Sequence, residues 1–197
     1  MYNVEDTATL VNRPMYPQAD EPKLLRRASQ GDRDALAELY RRYVDAVYRY
    51  MYYRVRDHLL AEDLTAEVFA QVLRSISRYE ERGLPFGAWL FRIAQACLVD
   101  HFRRDRVRAT VELDEEAPAL TDSEPSPDRV LDELDFVALL QHLTDEQRQV
   151  VLLRFVGGLS NAEIAEVTDS NTNAVKALMF RALHRLKSSL SRAETGQ

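Results

Sequence analysis

From Val107 to Glu133 the chain carries nine acidic residues against two basic ones, with Pro118, Pro125 and Pro127 among them. Like charge, low hydrophobicity and proline together leave too little apolar surface to offset the entropy of ordering such a stretch. It therefore divides the 197-residue chain into two pieces that must each build a core. A surface loop inside one domain is the alternative, but structureless loops of this length are uncommon in compact domains. The expected organisation is a tail at 1–22, a first domain at 23–106, an acidic linker at 107–128, a second domain at 129–190 and a tail at 191–197.

The same stretch explains the overall acidity. The formal net charge is −6, yet residues 23–106 carry 16 basic and 12 acidic side chains, and residues 134–197 carry seven of each. An acidic total therefore does not exclude nucleic acid as a partner. It does predict weak DNA binding by the isolated chain at physiological salt, because few net positive charges release counterions. The single cysteine, Cys97, leaves no internal disulfide and no cysteine-cluster metal site, and it fits a reducing cytoplasm. No apolar run is long enough for a membrane span. The first residues lack the basic cap and apolar core of a secretory signal. The expectation is a cytoplasmic protein without membrane insertion.

Both pieces read as all-α. Apolar residues recur at three- and four-residue spacing, and no segment sustains a period of two between turn residues. Gly31-Asp32 opens a long helix, with Asp32 as its cap and a stripe through Leu36, Tyr40, Tyr43, Val44, Val47, Met51 and Val55. A second helix is expected from about Leu59 to Tyr79, on the stripe Leu64, Val68, Val72 and Ile76. A third starts near Phe86 and ends in the basic tail Arg103, Arg104 and Arg106. Beyond the acidic stretch, helices are expected at Arg129–Leu143 and Asp145–Val156. Thr144-x-x-Gln147 and Ser160-x-x-Glu163 are capping boxes. A short helix at Ala162–Val167, a four-residue break and a longer basic helix at Thr172–Leu190 make a helix-turn-helix pattern. Its expected core is Leu159, Ile164, Ala165, Val167, Val175, Met179, Leu183 and Leu186.

Few constellations carry chemistry. Asp63 and Glu67 share one helix face at i and i+4. Such a pair can serve acid–base catalysis, lie on a solvated face, or dock on a basic partner. No companion base, phosphate loop or nucleophile favours catalysis. His58, His101, His142 and His184 are scattered and lack metal-ligand spacing. Six of the nine tyrosines lie between Tyr40 and Tyr53, at the spacing of a buried stripe; a base-stacking surface is the sharper alternative. Tyr79, Phe86 and Trp89 flank a loop containing Arg82. Aromatic rings beside cations are what single-stranded bases and their phosphates require.

These pieces occur in an order that resembles the extracytoplasmic-function (ECF) RNA polymerase sigma factors of the sigma-70 family. The stretch from Gly31 to Tyr50 looks like the start of that family's region two. Residues 61–69, Ala-Glu-Asp-Leu-Thr-Ala-Glu-Val-Phe, look like its core-polymerase-binding motif. Residues 86–94 followed by Asp100-His101-Phe102-Arg103-Arg104 look like its promoter-melting helix. Residues 143–186 look like region four. The resemblance covers about residues 23–190, and its specificity lies in the order of four motifs across two domains and an acidic linker.

The resemblance implies a sigma factor that binds core RNA polymerase and directs promoter-specific initiation, without enzymatic activity, cofactor, metal or small-molecule substrate. Its implied partners are core RNA polymerase, promoter DNA and an anti-sigma factor. Asp63, Leu64, Glu67 and Phe69 would form the polymerase-binding face. Tyr79, Arg82, Phe86, Trp89, Arg103, Arg104 and Arg106 would bind the −10 element. Tyr79 to Phe86 would hold an extruded base, Trp89 would support that pocket, and the arginines would bind phosphates. Asn171, Thr172, Asn173, Lys176 and Ala177 would face base edges of the −35 element, with Arg181 and Arg185 on phosphates. Ala66, Ala96, Leu178 and Phe180 depart from the family pattern. Asp169 replaces a turn glycine, and aspartate tolerates a left-handed backbone better than most residues.

Reach is compatible with this scheme. The two promoter elements lie about 25 base pairs apart, roughly 85 Å. The 25 residues from Val107 to Leu131 span at most ~80–90 Å when extended. An extended linker in a basic polymerase channel follows from the resemblance. A stand-alone helix-turn-helix regulator is the alternative function. Residues 59–106 discriminate, because such regulators lack them.

Overall fold

The computed structural model describes residues 20–79, 84–111 and 130–195. The chain forms two compact units that divide within the acidic stretch. Among the described residues the regular elements are helices, and none is a strand.

The first unit contains α1 (Glu21–Ser29), α2 (Arg33–Val55), α3 (His58–Ser75) and α4 (Phe86–Val111), with a single 3-10 turn at Ile76–Arg78. Helix α1 begins inside the stretch expected to be a tail. It is short and charged, but Pro22 suits a first turn, and Arg26 and Arg27 suit a last one. Tertiary contacts hold it. Glu21, only 4% exposed, accepts from the Tyr43 hydroxyl at 2.9 Å. Asp20 accepts two bonds from the Arg42 guanidinium, at 3.1 and 2.7 Å. Arg42 also pairs with Glu38, so both carboxyls titrate below their ordinary range.

Gly31 and Asp32 end one helix and start the next. Gly31 has φ +86°, and the backbone N–H groups of Gly31 and Asp32 close the end of α1 onto Ala28 and Arg27. The Asp32 carboxylate then accepts from the N–H groups of Asp34 and Ala35. At the next junction Arg56 takes the left-handed conformation and Asp57 caps α3.

Helix α2 supplies the centre of the core. Tyr43, Val47, Tyr50 and Met51 are buried, with the Tyr43 ring edge-on to Phe86 and Tyr50 edge-on to Phe91. The Tyr50 hydroxyl donates to Gln95 Oε1 at 2.8 Å, so burial leaves it satisfied. Tyr53 is also buried and Tyr48 and Tyr52 are half-buried; only Tyr40 among the six is largely exposed. Tyr43, Tyr50 and Tyr53 of the cluster are thus core, as the buried-stripe reading expects. Helix α4 runs on to Val111, past the basic tail and into the stretch expected to be linker.

The second unit contains α5 (Val130–Gln141), α6 (Asp145–Phe155), α7 (Asn161–Val167) and α8 (Thr172–Thr195). Both capping boxes form: Thr144 with Gln147, and Ser160 with Glu163. Asp169 takes the left-handed position, φ 48°, and Ser170 N–H bonds back to Ala165 O. Leu159, Ile164, Ala165, Val167 and Val175 are buried as expected. Leu183 is not: it is 45% exposed, and Ala182 takes the buried place. The packed stripe of α8 runs through Val175, Met179, Ala182 and Leu186, and Leu183 sits ~100° beyond it.

Candidate nucleic-acid interface

Helix α3 carries one continuous polar face. Asp63, Glu67, Gln71, Arg74 and Arg78 follow each other at three- and four-residue spacing through the 3-10 turn, and all are exposed. The opposite side, through Ala61, Leu64, Val68, Val72 and Ile76, is buried. The face is acidic at its N-terminal end and basic at its C-terminal end, the polarity the helix dipole favours. Leu64 and Phe69 belong to the packed side, at 3% and 9% exposure. Phe69 meets the Tyr40 ring edge-on at 4.7 Å. These two set the position of α3, while Asp63 and Glu67 present its charge. Ala66 lies exposed beside Glu67.

At the basic end of this face the turn brings three rings together. Tyr79 lies 5.8 Å from Phe86 and 5.0 Å from Trp89, and Phe86 lies 5.5 Å from Trp89. The Tyr79 hydroxyl donates to Leu84 O at 3.1 Å. Phe86 is 1% exposed and belongs to the core behind the other two rings; Tyr79 and Trp89 are half-buried and accessible. With Gln71, Arg74, Ser75 and Arg78 they line an open hollow of ≈390 Å³. Arg82 lies outside the described residues.

The far end of α4 presents Arg103, Arg104 and Arg106, all exposed. Arg103 faces Asp100 at 3.5 Å, and Arg104 faces Glu67 of α3 at 3.7 Å. Ala96 is exposed about two turns before Arg103, and Cys97 is buried. Burial, then the nearby Glu67 and Asp100 charges, push the Cys97 thiol up to about 11.

In the second unit α7, the turn at Asp169 and α8 form the helix-turn-helix. Asn173, Lys176, Ala177, Arg181 and Arg185 are exposed along α8, and Thr172 is half-buried. Asn171 caps the helix: its Oδ1 accepts from Ala174 N–H at 2.9 Å. That bond uses one lone pair of the oxygen and leaves the amide N–H groups free to donate. Leu178 is half-buried, whereas Phe180 is 72% exposed on the outer surface.

Sequence reasoning missed Gln71, Arg74 and Arg78. Their repeat with Asp63 and Glu67 was readable, but the hollow exists only because the turn folds Trp89 against them.

Two family models match the chain in order: sigma-70 region 2 over residues 39–108, and sigma-70 region 4 over residues 133–186. Together they cover more than half of it. The ECF RNA polymerase sigma factor SigD of Mycobacterium tuberculosis is 36% identical over 171 residues, covering 81% of this chain and 79% of SigD. The chain belongs to the ECF sigma factors of the sigma-70 family.

A second relative, the ECF RNA polymerase sigma factor BldN of Streptomyces coelicolor, is 44% identical over 168 residues. That alignment takes in 83% of this sigma factor and 63% of BldN, so the chain spans less than two thirds of BldN's length. The solved sigma factor RpoE of Bartonella quintana, in complex with the anti-sigma factor NepR, shares the fold. Its TM-score is 0.68 at 21% identity, covering 79% of this chain and 96% of that one. Among the described residues no helix of this sigma factor is long and apolar enough to cross a membrane.

Proposed function

We propose that this chain is a dissociable initiation subunit that binds core RNA polymerase and directs it to promoters. It works in the cytoplasm by binding, with no catalytic step or cofactor of its own. The observation that carries this reading is the arrangement of α3 and α4. An exposed acidic pair, Asp63 and Glu67, lies at one end of the polar face of α3, and an aromatic, cationic hollow formed with Tyr79 and Trp89 lies at its other end. The acidic end suits a basic protein partner, and the hollow suits an extruded base of the −10 element. Extrusion costs a few kcal/mol, which stacking on aromatic rings offsets at about 1–3 kcal/mol per base.

Asn173, Lys176 and Ala177 of α8 would enter the major groove at the −35 element, with Asn171 and Thr172 at the helix start. Arg181 and Arg185 would hold phosphates. With Leu178 half-buried and Phe180 exposed, this contact is more apolar than the family pattern. A protein covering the Asp63/Glu67 face would block polymerase and act as an anti-sigma factor.

Mixing the chain with core RNA polymerase and resolving the complex by gel filtration tests the reading. Co-elution that Asp63→Lys abolishes is expected. DNA binding by the chain alone, with no polymerase complex, would favour a stand-alone regulator.

A further inference from the structure

Helix α1 ends in Arg26-Arg27-Ala28-Ser29, followed by Gln30 and Gly31. Arg26 and Arg27 are exposed, and Ser29 is half-buried, with its hydroxyl donating to Arg26 O at 2.9 Å. The corner beyond it is open: a Cβ on Gly31 would meet nothing within 4 Å outside its chain neighbours. Two guanidinium groups therefore stand three and two residues before a surface hydroxyl. An acidic cleft can read that spacing by charge alone. Arg27 also has a structural task. Its Nε pairs with Asp32 Oδ2 at 2.7 Å, and Asp32 caps α2. Arg27 thus ties the end of α1 to the start of α2. With nine residues, α1 is too short to hold as a helix alone. Leu24, Leu25 and Ala28 anchor it, and it packs on α2 and on the 3-10 turn at Ile76–Arg78.

We propose that Ser29 is a phosphorylation site for an arginine-directed serine kinase, and that the phosphate releases α1 from α2. The Ser29 hydroxyl oxygen would attack the γ-phosphorus of ATP. The bond from that phosphorus to the β–γ bridging oxygen breaks, ADP leaves, and the hydroxyl proton passes to the base of the kinase. The new group carries roughly −1.5 to −2 charge at neutral pH. It stands at the C-terminal end of α1, where the helix dipole disfavours an anion, and three residues from the Asp32 carboxylate. Arg27 is the cation between the two acids in sequence, and drawing it to the phosphate breaks its bond with Asp32. A kinase takes its substrate extended, so the last turn of α1 must open and withdraw Leu25 and Ala28 before transfer. Modification is thereby coupled to the attachment of α1. Loss of the Arg42–Asp20 pair, which holds the other end of the helix, makes Ser29 a better substrate.

The test incubates the full chain with ATP labelled at the γ-phosphate. The enzyme is either the catalytic subunit of cyclic-AMP-dependent protein kinase or an extract of the cells that produce the chain. Both should label Ser29, mapped by fragment mass spectrometry of the parent. Arg26→Gln/Arg27→Gln should slow labelling by the purified kinase about tenfold, and Arg42→Gln should speed it severalfold. Amide hydrogens of α1 should exchange about tenfold faster in the labelled chain, and those of α6 should stay unchanged. Ser29→Ala, carried through the same incubation, should show neither the label nor the faster exchange. An extract that leaves Ser29 unlabelled would overturn the site, whatever the purified kinase does. Labelling that survives loss of both arginines would overturn their part in recognition. A labelled chain whose α1 exchanges like the parent's would overturn the release.

Discussion

Arg104 of α4 places Nη2 3.7 Å from Oε2 of Glu67 on α3. One residue belongs to the proposed polymerase face, the other to the proposed DNA face. Both are about half exposed, so the pair contributes little to folding, ~0–1 kcal/mol. Glu67→Lys should therefore leave the thermal melt nearly unchanged while lowering core polymerase affinity at least tenfold, ~1.4 kcal/mol. Titration of labelled chain into core enzyme measures this. Unchanged affinity would remove Glu67 from the docking surface.

The clamp of Asp20 and Glu38 on Arg42 makes the attachment of α1 acid-sensitive. Hydrogen bonding to Arg42 lowers both carboxyls in the folded chain. The stability they add is fully present above their unfolded values and is lost as pH falls through the lowered folded ones. Urea midpoints of the parent and Arg42→Gln should differ at pH 6 and converge toward pH 3. A difference that stays constant with pH would mean that packing alone holds α1.

Cys97 should be inert in the native protein. With the thiol pushed up to about 11, roughly one molecule in a thousand carries the thiolate at pH 8. Reaction with a disulfide reagent at pH 8 should be slow until denaturant is added. Rapid stoichiometric reaction of the folded chain would contradict the burial seen here.

Much of this architecture was legible in the sequence, and the exceptions share a cause. Asp32, Thr144 with Gln147 and Ser160 with Glu163 are local caps, written within four residues of the bonds they make. Asp169 could be expected at a left-handed position because short polar side chains are tolerated there. Helix α1 was missed because its stability comes from Tyr43 and Arg42, more than twenty residues away. Leu183 and Ala182 could not be ranked by periodicity, since adjacent residues differ by only ~100° around the helix. The hollow at Arg74 and Arg78 needed the fold of the turn before Phe86. Leu64 and Phe69, expected on one face with Asp63 and Glu67, are set inward and hold the helix, because a four-motif pattern alone does not separate packed from exposed positions.

Residues 112–128 of the acidic linker lie outside the described residues, and the linker's role is a separate expectation. If it occupies a basic channel that later carries RNA, replacing Glu112, Asp114, Glu115 and Glu116 with amides should change abortive RNA yields. Quantifying short transcripts from one promoter checks this, and identical yields would dissociate the linker from the RNA path.

The central claim is that this chain confers promoter specificity on core RNA polymerase. Run-off transcription from a genomic library, with core enzyme alone and with the chain added, tests it most directly. The account predicts discrete new transcripts that require the chain and disappear with Glu67→Lys. A transcript pattern identical with and without the chain, at concentrations where it folds and meets core enzyme, would contradict it.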